Sequence, residues 1–225
     1  SEVVLGHSLG EYSALCSINS LTVSEAAKIL QQRGRAMQKS VVGIETKMVA
    51  VIGLDIINLE NELKEFIMKE HEVCEIANDN CPGQVILSGT KDSVELVSKK
   101  LKLLGARSII DLKVSAPFHC TLMKPAAEKM KLFLEKTNFN TPNIQLISNV
   151  TALPVGKDGN IKDLLYKQIF SQVRWRESVN FMINNGINDF IEIGPGKVLS
   201  GLVKRTNDKV SIRNVNKIDD IKILK

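Results

Sequence analysis

The segment Val3-Val4-Leu5-Gly6-His7-Ser8-Leu9-Gly10-Glu11, close to the start of the chain, decides how the rest of the sequence is interpreted. Its apolar run predicts a strand, its G-x-S-x-G pentapeptide predicts a sharp turn, and the residues after it favour a helix. Strand, turn and helix in this order are typical of a nucleophile elbow, in which a strained turn exposes a serine Oγ. A glycine-rich turn without function is the alternative, but the flanking strand and helix favour the elbow.

Two functional residues follow from this interpretation. We predict that Ser8 is a nucleophile and that the main-chain N–H of Leu9, at the start of the helix, faces an oxyanion formed on Ser8. The glycines at the two ends of the pentapeptide, Gly6 and Gly10, are expected to remove Cβ atoms where strand and helix approach closely.

Composition excludes several classes of protein. The chain has 225 residues, of which 44% are hydrophobic, so it can bury one large core or a core with a smaller insertion. The net charge is +5, but only 4% of residues are aromatic, so nucleic acid is not an expected partner, and acidic proteins or phosphates fit better. No run approaches the ~18 apolar residues of a membrane span and no secretory leader precedes Ser1, so we expect neither membrane insertion nor secretion.

Cysteine and histidine usage points away from disulfides and metals. The four cysteines form no C-x-x-C pair and are expected to be reduced, in an intracellular or organellar compartment. His7, His71 and His119 are scattered along the chain, so no metal site is expected.

Hydrophobic periodicity predicts an α/β protein with an insertion. Apolar residues at helical spacing predict a helix over 22–39, with Ser20 or Thr22 as its N-cap. The following segments predict a βαββαβ unit, the ferredoxin-like order, with strands at 48–52, 73–77, 85–88 and 108–112 and helices at 56–68 and 92–104. Beyond it, helices at 125–137, 161–168 and 178–185 alternate with strands at 144–148 and 190–193, which predicts a mostly parallel sheet covered by helices.

Five motifs occur together in one order, and as a set they resemble the malonyl-CoA:acyl carrier protein transacylases. These motifs are Gly6-His7-Ser8-Leu9-Gly10-Glu11-Tyr12-Ser13-Ala14, Gln32-Arg33-Gly34, Asn80-Cys81-Pro82-Gly83-Gln84, Ser115-Ala116-Pro117-Phe118-His119 and Glu192-Ile193-Gly194-Pro195-Gly196-Lys197-Val198-Leu199. The resemblance extends to about Arg213.

The resemblance implies a fold. It predicts an α/β-hydrolase-like core with a parallel sheet, formed by residues 1–45 and 113–225 and interrupted by a ferredoxin-like subdomain over 46–112. Family members carry a segment upstream of the elbow, with a Gly-Gln-Gly-Ser-Gln loop that supplies a second oxyanion donor. Because nothing here corresponds to it, we expect the N-terminal part of the usual family domain to be absent from this chain.

The resemblance also assigns the catalytic base. His119 would activate Ser8, because a hydroxyl needs an adjacent base to attack a thioester at neutral pH. A hydrolase triad would add a carboxylate, for which Asp111 is the nearest candidate in the sequence. The family instead resembles a Ser–His dyad whose imidazole N–H donates to a main-chain carbonyl, at the position of Gln168.

The remaining predicted site residues concern the substrate. Arg33 corresponds to the family arginine that pairs with the malonyl carboxylate, whereas Arg35 faces another side of the helix. Leu9 and Phe118 match the residues that accompany malonyl rather than methyl-branched substrates in related domains, a preference of only ~1–3 kcal/mol. Asn80 resembles a pocket-lining asparagine, with a plain turn residue as the alternative. His7 is expected to be structural.

The predicted activity is transfer of malonyl from coenzyme A to the phosphopantetheine thiol of acyl carrier protein, through a malonyl-serine, for fatty acid biosynthesis. No metal or organic cofactor is expected. A serine thioesterase or esterase, and a non-catalytic docking fragment of a synthase, are the alternatives. We expect a monomer in a bacterial cytoplasm or a plastid stroma, with Lys197, Lys204 and Arg205 steering an acidic carrier protein.

Overall fold

The computed structural model describes residues 2–65, 72–156 and 159–224. Its eight α-helices within these ranges are α1 Leu9–Ser17, α2 Val23–Lys39, α3 Ile56–Glu65, α4 Lys91–Leu103, α5 Lys124–Lys136, α6 Ile161–Gln168, α7 Trp175–Asn184 and α8 Val198–Thr206. The eight described strands are β1 Val3–Val4, β2 Thr46–Ile52, β3 Cys74–Cys81, β4 Gln84–Thr90, β5 Ser108–Asp111, β6 Gln145–Leu146, β7 Asp189–Ile193 and β8 Ser211–Val215. The end of the helix predicted over 56–68 lies outside the described residues.

The predicted βαββαβ unit forms one four-stranded antiparallel sheet. Its strand order is β3-β4-β2-β5, and α3 and α4 connect its strands. Strand β3 is longer than predicted and continues through Asn78, Asp79 and Asn80, with two register irregularities in its pairing with β4. The added residues are polar, so a pattern based on apolar residues ended the strand too early.

The parallel part of the fold differs from the prediction. Strand β1 pairs in parallel with β6, and β7 pairs in parallel with β8, but the two pairs are separate sheets among the described residues. The predicted parallel pairing is therefore confirmed, but among the described residues it forms two short pairs instead of a continuous sheet. Helix α8 and strand β8 lie beyond the elements that the sequence pattern predicted.

Local signals set the start of α2, the helix that carries Arg33. The Thr22 side chain accepts a hydrogen bond from the Glu25 N–H, and the Glu25 carboxylate accepts one from the Thr22 N–H. This reciprocal pair is a capping box, and it selects Thr22 rather than Ser20 as the N-cap. Helix α2 packs against α1 and α5, so its inward face lies in the main core.

The four-stranded sheet is attached to the rest of the protein through β3. The N–H of Asp79 donates to the Val173 carbonyl at 3.0 Å, and the N–H of Val173 donates to the Ala77 carbonyl at 2.8 Å. The buried Asp79 carboxylate also accepts a hydrogen bond from the Arg176 Nε–H of α7, which its two oxygens share at 2.9 and 3.0 Å. Phe118 adds an apolar link, since it packs against both the main core and the face of this sheet.

Candidate active site

Ser8 occupies the turn between β1 and α1 in a strained backbone conformation. Its φ is 52° and its ψ is −105°, a combination that costs about 1–3 kcal/mol for a residue with a side chain. The turn needs glycine at Gly6, where a Cβ would lie 1.9 Å from the Gly10 carbonyl oxygen. The same expectation for Gly10 is wrong for the described residues, because a Cβ there would meet no atom within 4 Å.

Asn149, just after the neighbouring strand, holds this turn in place. Its side-chain oxygen accepts a hydrogen bond from the Ser8 N–H at 2.7 Å, and its amide nitrogen donates to the Gly6 carbonyl at 2.7 Å. Asn149 is buried and follows β6, the parallel partner of β1. Parallel strands bring their carboxyl ends to one edge, so this pairing places Asn149 beside the turn and offsets part of its strain.

The structure brings Ser8 and His119 together across 111 positions of sequence. The Ser8 Oγ lies 2.8 Å from His119 Nε2, and His119 Nδ1 lies 2.8 Å from the main-chain oxygen of Gln168. A carbonyl oxygen can only accept, so Nδ1 carries the ring proton and Nε2 is free to accept the proton of Ser8. This is the arrangement that a general base requires.

The carbonyl that orients His119 is available because Gln168 is the last residue of α6. The final carbonyls of a helix have no intrahelical donor, and they carry the negative end of the helix dipole. That end stabilises an imidazolium that forms on His119, as a carboxylate would. The triad alternative is wrong, because Asp111 is exposed on β5 and pairs with Lys47 at 3.0 Å.

Burial keeps His119 neutral. Desolvation, and then the nearby Arg33 cation, lower the pKa of His119 from 6.5 to about 3. The imidazole is therefore in its basic form throughout the neutral range. It can accept the Ser8 proton without first losing one of its own.

Arg33 is a buried cation beside the nucleophile. It is 7% exposed, and its Nη2 donates to Ser8 Oγ at 3.2 Å and to Gln168 Oε1 at 3.1 Å. Its Nε has no hydrogen-bond partner, and none of the ion pairs among the residues that the structure describes includes Arg33. Burial lowers the pKa of Arg33, but a guanidinium remains charged at neutral pH. An anionic group next to Ser8 would supply the missing hydrogen-bond acceptors of Arg33.

The Gln168 side chain joins Arg33 to a buried acid. Its Nε2 donates to Glu11 Oε2 at 2.6 Å and to the Ser8 carbonyl at 3.0 Å. Glu11 also accepts a long hydrogen bond of 3.4 Å from the Asn149 N–H. Desolvation raises the pKa of Glu11 from 4.5 to about 7, despite these hydrogen bonds.

The other predicted residues lie around the turn. Leu9 is the first residue of α1, so its N–H has no intrahelical acceptor, while the Ser8 N–H already binds Asn149. Asn80 is buried in β3, not in a turn, and its Oδ1 lies 3.0 Å from His7 Nε2. His7 also contacts the ring of Trp175 and thereby supports the turn from outside. Arg35 is exposed.

Sequence reasoning missed Glu11, Asn149 and the side-chain role of Gln168. One signal was present: Asn149 directly follows the apolar run predicted as a strand at 144–148, and polar residues after parallel strands gather at one edge. Glu11 carried no such signal, because an acidic residue in the first turn of a helix is ordinarily exposed.

No group of three or more His, Cys, Asp or Glu side chains that could hold a metal ion occurs within 2–65, 72–156 and 159–224. His71 lies outside these ranges. All four cysteines are free thiols. In the part of the chain that the structure describes, no helix is long and apolar enough to cross a membrane.

Comparison with known proteins identifies the family of this chain. A family model described as an acyl transferase domain matches residues 1–223. The malonyl CoA-acyl carrier protein transacylase of Bacillus subtilis is 42% identical over 97% of this chain and 68% of its own length. The chain belongs to the malonyl CoA-acyl carrier protein transacylase family. The Escherichia coli K12 transacylase is 38% identical over 95% of this chain and 69% of its own length.

Solved transacylase structures share the fold. That of Clostridium perfringens superposes with a TM-score of 0.93 at 37% identity, covering 100% of this chain and 70% of its own. A type II PKS malonyl-transacylase, solved in complex with its acyl-carrier protein, gives a TM-score of 0.92 at 36% identity, covering 98% of this chain and 71% of its own. The mixed α/β architecture is thus that of the transacylase family.

Proposed function

We propose that this protein transfers malonyl from malonyl-CoA to the phosphopantetheine thiol of acyl carrier protein, and so supplies fatty acid biosynthesis. The observation that carries the proposal is the placement of Ser8 Oγ 2.8 Å from His119 Nε2 and 3.2 Å from Nη2 of the buried Arg33 cation. A serine with a base beside it suits acyl transfer, and a buried cation beside that serine suits an acyl group with a carboxylate.

In the first half-reaction, Ser8 Oγ attacks the thioester carbonyl as His119 Nε2 accepts its proton. The tetrahedral oxyanion accepts a hydrogen bond from the Leu9 N–H, and the malonyl carboxylate pairs with Arg33. Collapse breaks the carbon–sulfur bond, the proton passes from His119 to the leaving thiolate, and malonyl-Ser8 and coenzyme A result. In the second half-reaction, the carrier-protein thiol gives its proton to His119 and attacks the malonyl ester, and Ser8 Oγ recovers the proton as it leaves.

We assign Phe118 and Asn80 to the acyl pocket. Phe118 directly precedes His119 and is only partly buried, so its ring can narrow the space beside the α-carbon of the acyl group. Asn80 reaches the turn through His7. The order β3-β4-β2-β5 supports a ferredoxin-like subdomain over 46–112, inserted in an α/β-hydrolase-like core of 1–45 and 113–225.

The two proposed half-reactions need no metal or organic cofactor, and no membrane or nucleic acid. We propose that the protein acts as a monomer. We also propose a bacterial cytoplasm as its location, which its bacterial relatives support, with a plastid stroma as the alternative. The acyl carrier protein of the solved complex with a related transacylase supports the choice of partner.

Intact-mass spectrometry tests the proposal against its rivals. After malonyl-CoA is added, we expect one malonyl adduct, which disappears when acyl carrier protein is added and is absent in Ser8→Ala. A thioesterase would release malonate into water without acyl carrier protein, and a docking fragment would not react. Malonylation of Ser8→Ala at the rate of the unaltered protein would refute the assignment of Ser8.

A further inference from the structure

Arg33 is anchored in an unusual way for a buried cation. Buried charges are ordinarily paired with an opposite charge, because desolvating a lone ion is costly. Here the groups around the guanidinium are neutral: Gln168 Oε1 lies 3.1 Å and Ser8 Oγ 3.2 Å from Nη2, and the Tyr12 ring centre lies 6.0 Å from the guanidinium carbon. The acidic group of this cluster, Glu11, lies on the far side of the same amide, at 2.6 Å from Gln168 Nε2.

The amide of Gln168 has only one favourable orientation in this cluster. Its NH2 group faces two acceptors, the Glu11 carboxyl oxygen and the Ser8 carbonyl, while its oxygen faces the Arg33 donor. A rotated amide would place oxygen against both acceptors and NH2 against the cation. Glu11 therefore sets the orientation of Gln168, and Gln168 in turn sets the position of Arg33.

Because the Gln168 amide is neutral, it leaves the positive charge of Arg33 available to a bound substrate. One amide oxygen accepts a single N–H, whereas a carboxylate in its place would bind the guanidinium with two oxygens and neutralise it. The Arg33 Nε has no partner among the described residues, and Nη2 already points at Ser8 Oγ. The guanidinium is thus held in place with donors still free for an incoming carboxylate.

We propose that Glu11 and the side chain of Gln168 are positioning residues that keep the Arg33 cation unpaired and directed at Ser8, and that they thereby determine the preference for carboxylated acyl thioesters. This inference rests on the proposed function. It assigns Gln168 a role in selectivity that is separate from the role of its main-chain carbonyl toward His119.

The test compares acylation by malonyl-CoA and acetyl-CoA, which differ by the carboxylate. The ratio of their kcat/KM values is measured for the unaltered protein, for Gln168→Glu, and for Gln31→Glu. Gln31 lies exposed on the same helix as Arg33, so its variant introduces the same charge change away from the cluster. We expect the ratio to fall about tenfold or more in Gln168→Glu, because the new carboxylate pairs with Arg33, and to stay unchanged in Gln31→Glu.

A second variant keeps the inference testable if Gln168→Glu does not fold. Gln168→Met is uncharged and similar in volume, and it removes the anchor instead of neutralising the cation, so the ratio should fall here too. Thermal unfolding shows whether each variant is folded. If both variants are folded and keep the malonyl-to-acetyl ratio within about fivefold of that of the unaltered protein, the inference is wrong; a larger fall supports it. If the unaltered protein forms no malonyl-Ser8 at all, the proposed function fails instead.

Discussion

His119 Nδ1 lies 2.8 Å from the main-chain oxygen of Gln168, so the end of a helix occupies the place that an aspartate holds in a catalytic triad. A carbonyl has no proton to lose and no full charge to desolvate. The same residue holds Arg33 through its side chain. One position therefore orients both the base and the cation, and each can be tested separately.

The first prediction concerns the charge state of His119. With its pKa lowered to about 3, His119 is neutral in the free protein at neutral and mildly acidic pH. We expect kcat/KM for acylation to show no fall centred near pH 6.5 as the pH is lowered from 8 to 5, because kcat/KM reports ionisations of the free enzyme. His119→Ala should slow acylation by ~10²–10⁴-fold.

Rapid-quench acylation in overlapping buffers measures this profile. The measurement is repeated in Glu11→Gln, because Glu11 titrates at about 7 and lies in the same cluster. An acidic fall near pH 6.5 that persists in Glu11→Gln would contradict the low pKa of His119.

The second prediction concerns Arg33. Arg33→Ala should lower kcat/KM for malonyl-CoA far more than for acetyl-CoA, because only malonyl loses charge-assisted hydrogen bonds, worth ~1.5–3 kcal/mol each. Arg35→Ala is the matched control, since Arg35 is exposed on the same helix, and it should change neither value much. Equal losses for both thioesters in Arg33→Ala would show that Arg33 has a structural role and does not recognise the malonyl carboxylate.

The third prediction concerns Asn149. Asn149→Ala removes the acceptor of the Ser8 N–H and the donor to the Gly6 carbonyl, so the strained turn loses its support. We expect a destabilisation of about 1–3 kcal/mol in urea unfolding and a slower acylation of Ser8 in the protein that remains folded. Asn185→Ala is the control, because Asn185 is exposed and makes one side-chain bond at the end of α7. Unaltered acylation in Asn149→Ala would mean that the turn keeps its geometry without this side chain.

The fourth prediction concerns the stability contribution of Glu11. Its pKa is about 7 in the folded protein and 4.5 in the reference state, so between these values the folded protein binds more protons than the unfolded chain. The shifted pKa of Glu11 therefore adds to the free energy of unfolding. This contribution is fully present below pH 4.5 and is lost as the pH rises through about 7.

Urea unfolding of the unaltered protein and of Glu11→Gln from pH 4.5 to 8 measures this effect. We expect the unaltered protein to lose roughly 3 kcal/mol relative to Glu11→Gln across this range. The opposite contribution of His119 is common to both proteins and cancels in the difference. A difference that does not change with pH would show that Glu11 is ionised throughout.

The fifth prediction concerns encounter with the carrier protein. Lys204 and Arg205 are exposed on α8, and Lys204 and Lys197 line a surface depression of about 480 Å³. If they steer an acidic partner, kcat/KM for acyl carrier protein should fall as ionic strength rises, since exposed charges are screened beyond ~8 Å at physiological salt. Charge reversal at Lys204 and Arg205 should reproduce this loss at low salt. The alternative is that these residues form a solvated helix face without a role in binding. In that case kcat/KM changes neither with ionic strength nor on charge reversal.

Much of the fold follows from signals that lie within a few residues of one another. The G-x-S-x-G turn, the Thr22–Glu25 capping box and the order of the βαββαβ unit were all readable in this way. Such features depend on steric limits of the backbone and on hydrogen bonds between near neighbours, which residue types already express. They identified Ser8 and predicted the class of fold.

The arrangement of the site depends instead on contacts between distant segments. Ser8, Asn149 and Gln168 meet because β1 pairs in parallel with β6 and because α6 ends beside His119. Periodicity shows which face of a helix or strand is buried, but it does not say which element covers that face or in what register. For that reason the separate parallel pairs, the support of the turn by Asn149 and the neutral anchor of Arg33 emerged only when the chain was packed in three dimensions.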